Sequence, residues 1–125
     1  MMMSSDDIRV AIVHRDGLYR DSLRYCLTQT DHISVVHSSC GGDLKLWKTV
    51  VTHTPNLVLL EFGLCRQQGL LDSFSGICVP AFGVKTIVIG VPDRDEDILA
   101  CIESDGAAGF LLTDSSLDDL LKNIH

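Results

Sequence analysis

No apolar run in the chain approaches the roughly 20 residues that a membrane-spanning helix needs. The amino end, MMMSSDDIRV, lacks the basic-then-apolar layout of a secretory leader. A cytoplasmic location is expected, with reduced cysteines. Cys26, Cys40, Cys65, Cys78 and Cys101 are odd in number, dispersed, and contain no Cys-x-x-Cys pair that would offer a zinc or redox site. Basic residues are scarce: 10 Lys and Arg against 17 Asp and Glu give a formal charge of −7. So acidic a chain is a poor non-specific binder of nucleic acid or anionic membrane, and no direct contact with either is expected of it. Internal repeats, low-complexity stretches and Pro/Gly/Ser-rich linkers are missing too. Neither a Gly-x-Gly-x-x-Gly nor a P-loop pattern is present, and the glycines at Gly41 and Gly42 are explained by a turn.

What remains is a chain of 125 residues, 46% hydrophobic and 22% charged, which fits one globular domain rather than two. After a polar tail over 1–7, expected to be disordered, short β-branched runs alternate with helix-period segments. The strand candidates are Ile8–Val13, Ile33–Ser38, Leu57–Leu60, Thr86–Ile89 and Gly109–Leu112. Several are apolar on consecutive residues, which predicts strands covered on both faces. Tyr19, Leu23, Cys26 and Leu27 share a helical face with Asp16 placed as its cap. Leu44, Trp47, Val50 and Val51 form a second apolar stripe, and Ile98, Leu99 and Ile102 a third. Leu117, Leu120, Leu121 and Ile124 form the last, capped by Ser115 or Ser116. A weak helix is expected within Leu70–Val84. The acidic cluster Asp93–Asp97 reads as a solvated helix start. Five strand–helix cycles imply a doubly wound parallel sheet with helices on both faces.

In such a sheet the site lies beyond the carboxyl ends of the strands. Those ends carry His14, Arg15 and Asp16 after the first strand, Glu61 after the third, Gly90 and Val91 after the fourth, and Thr113 after the fifth. Here the chain resembles the receiver domains of two-component response regulators, nearest the subclass joined to LuxR-type DNA-binding domains. The segments IRVAIVHRDGLYRDSLRYCL, PNLVLLEFGL and GAAGFLLTDSSLDDLLKNI carry the resemblance, which runs from Ile8 to His125. It implies a flavodoxin-like (CheY-like) fold with five parallel strands in the order 2-1-3-4-5.

The family's chemistry is phosphoryl transfer to a strand-end aspartate. Two carboxylates after the first strand hold Mg²⁺, and a hydroxyl and a lysine hold the transferred oxygens. This chain departs at each position. His14 and Arg15 stand where the acidic pair belongs, Glu61 where the acceptor does, Gly90 or Val91 at the hydroxyl, and Thr113 at the lysine. The switch aromatic survives as Phe110, read most simply as a strand residue packed against the last helix. Asp16 fits a helix cap better than a metal ligand, and no Mg²⁺ or other cofactor is expected.

Three readings of Glu61 stand open. It is a strand-end carboxylate without a role, an imitation of phosphorylated aspartate, or the bidentate partner of an Arg15 guanidinium in the vacated metal position; the third is favoured. His14 has a plain reading as a strand-end imidazole against a pH-sensing one. His32, His37, His53 and His125 show no metal-ligand spacing. The expected function is that of an atypical, phosphorylation-independent receiver, not an enzyme. It would act as a regulatory or dimerisation module, homodimeric through its helical faces. The domain over 8–125 is expected to be a fragment of a regulator with a C-terminal DNA-binding domain. The alternatives are a flavodoxin-like sensor of a small anionic ligand, and a receiver still phosphorylated by an unusual route.

Overall fold

The computed structural model describes residues 7–40, 54–64, 85–103 and 108–124. They form β1 (Ile8–Val13), α1 (Gly17–Thr28), β2 (Ile33–Ser39), β3 (Leu57–Glu61), β4 (Lys85–Val91), α2 (Asp95–Glu103), β5 (Gly109–Leu112) and α3 (Leu117–Ile124). The strands make one five-stranded sheet in the order β2-β1-β3-β4-β5, every pair parallel. This is the receiver fold expected from the sequence. The stripe of Leu44, Trp47, Val50 and Val51, the Leu70–Val84 segment, and Cys65 and Cys78 lie outside the described residues.

The consecutive apolar runs have a simple cause. Successive strand side chains point to opposite faces, and here both faces are covered. Val10 and Ile12 of β1 join Leu57, Leu59, Ile87 and Ile89 on one face, under Leu23 and Leu27 of α1 and Leu120 of α3. Ala11 and Val13 join Val58, Leu60, Val88 and Val91 on the other, with Cys101 of α2. A one-residue slip of any central strand would exchange these two sets, so register is strongly specified.

The caps follow the sequence. Asp16 accepts hydrogen bonds from the backbone N–H groups of Leu18 (3.0 Å) and Tyr19 (3.3 Å), opening α1. At α3 the Ser116 hydroxyl accepts from Asp119 N (3.1 Å) while Asp119 Oδ2 accepts from Ser116 N (2.9 Å), a capping box. Ser116, not Ser115, is the cap.

Two expectations need correction. Ile98 and Cys101 of α2 pack on the sheet and Asp97 is buried, while Leu99 and Ile102 are exposed. Asp93, Asp95 and Glu96 are exposed as a solvated helix start requires, and Asp97 is the exception. Apolar spacing alone could not fix the phase of so short a helix, because Ile98, Leu99, Cys101 and Ile102 fit two overlapping stripes. Phe110 also packs on the α2 side of the sheet, against the cluster of Cys101 and Val88, and not against the last helix. Strand alternation decides this: Leu111, its neighbour, takes the α3 side.

Candidate functional site

The site forms where β1 and β3 end side by side at the centre of the sheet. Val13 pairs with Leu60, so the residues just beyond, His14, Arg15 and Glu61, emerge within reach of one another. Arg15 and Glu61 are in direct contact. The Arg15 backbone N–H donates to Glu61 Oε1 (2.9 Å). The guanidinium then grips the carboxylate, Nη2 to Oε2 at 2.7 Å and Nε to each oxygen at 3.1 Å. Both carboxylate oxygens are thus engaged by one residue in fork geometry. Glu61 is well covered (side chain 13% exposed) and Arg15 lies over it at the surface (47%), so the pair is a capped carboxylate rather than a loose surface contact.

Electrostatics agree with the geometry. Burial pulls the Glu61 carboxyl upward, but hydrogen bonds from the Arg15 side chain and backbone, with the His14 ring nearby, hold it below the ordinary value. Arg15 is raised by the same hydrogen bond. Burial lowers His14, against the pull of Glu61 and Asp16, so its ring is neutral at neutral pH. The 3.8 Å approach of His14 Nδ1 to Glu61 is therefore not an ion pair there. His14 Nδ1 instead accepts from the Asp16 backbone N–H (3.0 Å), which places the ring proton on Nε2. The ring stacks on Tyr19 at 4.3 Å between centroids and 16° between planes, and the Arg20 guanidinium holds the His14 carbonyl at 2.7 Å.

Two of these partners were not legible as site residues. Tyr19 reads in the sequence as core, yet it is part-exposed and covers His14. Gly63 makes room for the guanidinium: a Cβ added there would collide with Arg15 Nη2 and reach 3.0 Å from Glu61 Oε2. The glycine two residues beyond Glu61 was the available signal.

Of the remaining strand-end positions, Gly90 and Thr113 line the same cleft as His14 and Glu61. Gly90 has φ +74°, in the left-handed region, and lies where the β4–β5 register shifts between Val88 and Val91. Val91 is fully buried in the core, and neither candidate for the hydroxyl position carries a side-chain oxygen. Thr113 is exposed in a turn, its N–H on the Val91 carbonyl (3.0 Å).

Mg²⁺ takes near-octahedral oxygen donors. Here the Asp16 carboxylate caps α1, both Glu61 oxygens face Arg15, and His14 Nδ1 is occupied. Among the described residues no group of three or more His, Cys, Asp or Glu is placed to hold a metal. The residues present do not fit the ion. Beside the pair, a cleft of about 490 Å³ opens between α1 and α3.

The sheet order and its flanking helices define a CheY-like receiver fold. No protein-family model matches it. The chain is 22% identical over 124 residues to the nitrate/nitrite response regulator NarL of Escherichia coli K12, covering 99% of this chain and 56% of that protein. It thus spans about half the length of the curated relatives it matches. In fold it is similar to the isolated receiver domain of RcsB from Salmonella enterica serovar Typhimurium, solved in the presence of phosphomimetic BeF3− (TM-score 0.76, 16% identity, 93% of this chain and 84% of that one). A LuxR-family DNA-binding response regulator from Staphylococcus aureus is similar as well (TM-score 0.74, 14% identity, 94% and 95% covered). The chain thus has the receiver fold and is similar in sequence to response regulators of the NarL type. No helix among its described residues is long and apolar enough to cross a membrane.

Proposed function

We propose that this receiver works without aspartyl phosphorylation, as a non-enzymatic regulatory and dimerisation module of a cytoplasmic transcription regulator. The observation that supports this most is the Arg15–Glu61 clasp. Phosphoryl transfer needs an exposed acceptor oxygen and a divalent cation to offset the charge of the incoming group. Glu61 offers neither, since one guanidinium and one backbone N–H occupy both its oxygens. Glu61 is the position corresponding to the family's phospho-acceptor, His14 and Arg15 to its metal ligands, and Gly90 or Val91, Phe110 and Thr113 to its switch residues. With the hydroxyl and lysine gone, no relay couples a phosphoryl group to Phe110. Signalling would then rest on which surfaces the fold presents. Leu18 and Tyr25 of α1 and Leu117 of α3 are exposed apolar residues on helices that cover one face of the sheet, which suits a symmetric contact between copies. A DNA-binding domain beyond His125, as in a LuxR-type regulator, would supply the contact with DNA that this acidic domain does not.

The test is incubation with acetyl phosphate and, separately, with beryllofluoride and Mg²⁺, read by intact mass and by amide NMR. Neither treatment should change mass or spectrum. A phosphoryl adduct, or beryllofluoride shifts centred on Glu61 and Thr113, would overturn the proposal and support phosphorylation by an unusual route.

A further inference from the structure

The cleft between α1 and α3 is built unlike the strand-end pair it adjoins. Its floor is apolar and buried: Leu23 of α1, Ile89 of β4, Leu111 of β5 and Leu120 of α3. At about 490 Å³ it falls inside the roughly 300–1,000 Å³ of ordinary small-molecule sites, and like them it combines an apolar floor with a few polar groups. Those groups include the His14 ring, with Nδ1 occupied and the ring neutral, and the hydroxyl-bearing Ser22 and Ser115.

Charge selects the ligand. Among the described residues Glu61 is the one acidic residue lining the cleft, and Arg15 engages both its oxygens. No Lys or Arg among the described residues lines the cleft. An anion entering it would leave water for an apolar floor without a cationic partner, and a cation would have to displace Arg15 from Glu61. An anionic ligand thus loses the guanidinium that would have attracted it.

We propose that the α1–α3 cleft is a binding site for an uncharged small molecule with an apolar, ring-sized body and one hydrogen-bonding end. The body lies on Leu23, Ile89, Leu111 and Leu120, and the polar end meets His14 and the serine hydroxyls. Because the cleft separates the helices that carry Leu18, Tyr25 and Leu117, an occupant bears directly on the spacing of that apolar surface. The inference needs no assumption about phosphorylation.

Three probes sharing one ring test it: indole (neutral), indole-3-acetate (anion) and tryptamine (cation), titrated into the intact chain and followed by amide and methyl NMR. Indole should give saturable shifts at Leu23, Leu111, Ser115 and Leu120, and bind at least about tenfold tighter than either charged analogue, since burying an uncompensated charge costs well over the 1.4 kcal/mol that corresponds to tenfold. Ser22→Trp, at an exposed rim position, should fill the cleft and abolish those shifts while keeping a dispersed spectrum. Absence of saturable shifts in the unmodified chain overturns the proposal. So do shifts mapping elsewhere, indole-3-acetate or tryptamine binding as tightly as indole, and indole binding unchanged by a folded Ser22→Trp chain.

Discussion

Gly90 allows a prediction whose sign, as well as its size, comes from the structure. At an ordinary backbone position, Gly→Ala stabilises a protein by about 0.4–1 kcal/mol, because it restricts the unfolded chain. Gly90 has φ +74°, and a Cβ added there meets no atom within 4 Å. No clash and no new contact enter the balance, so the cost of holding an L-residue in the left-handed region, about 1–2 kcal/mol, is opposed only by that unfolded-state gain. The net is a loss of up to about 1.6 kcal/mol. For a domain of this length it corresponds to a Tm lower by up to about 6 °C. Urea unfolding of Gly90→Ala should show a lower midpoint at unchanged slope. Gly90→Thr, which adds the kind of hydroxyl the family carries after its fourth strand, should be at least as destabilised, because β-branching adds to the strain. It should also not gain a phosphoryl group from acetyl phosphate. A Gly90→Ala chain that is more stable than the parent would refute the backbone assignment, and with it the reason that a hydroxyl is not simply missing but conformationally disfavoured there.

The clasp predicts a paired result. Arg15→Gln should raise the Glu61 pKa, followed by carbon-detected NMR titration of its carboxyl; Gly63→Ala should raise it too, by crowding the guanidinium with every charge left in place. An unchanged Glu61 titration in both variants would mean that Arg15 does not hold the carboxylate. Acid should destabilise the fold in two steps. The folded-state pKa of His14 lies below its ordinary 6.5, so its contribution is full above 6.5 and is lost as pH falls through the lower folded value. The folded-state pKa of Glu61 is likewise below its ordinary 4.5, so its contribution is present above 4.5 and disappears as pH falls through that depressed value. Urea midpoints measured across this range should decline toward acid, and His14→Asn should flatten the upper step. Finally, Asp16→Ala should cost about 0.5–2 kcal/mol as the loss of a helix cap, measurable by thermal unfolding, and should leave the response to Mg²⁺ unchanged. A change in Mg²⁺ response would reassign Asp16 to the metal position.

Strand positions, their parallel order and the cap at Asp16 were legible in the linear sequence. They depend on local or one-dimensional signals: β-branched apolar runs, turn residues, and a carboxylate one position before a helical pattern. The pairing of Arg15 with Glu61 could be framed as well, because strand ends that neighbour each other in this topology bring their next residues together. Other features needed the third dimension. The phase of α2, which buries Asp97 and Cys101 and exposes Leu99 and Ile102, is set by packing on the sheet and not by spacing. Which face Phe110 takes depends on strand register. Gly63 and Tyr19 acquire roles only through residues distant from, or turned toward, them in space. The cleft belongs to no segment at all, since its walls come from α1, β4, β5 and α3 and its volume is whatever those elements leave unfilled. Local chemistry determined the elements and their ends; tertiary packing decided which faces meet, because contacts between distant segments carry no mark in the order of residues.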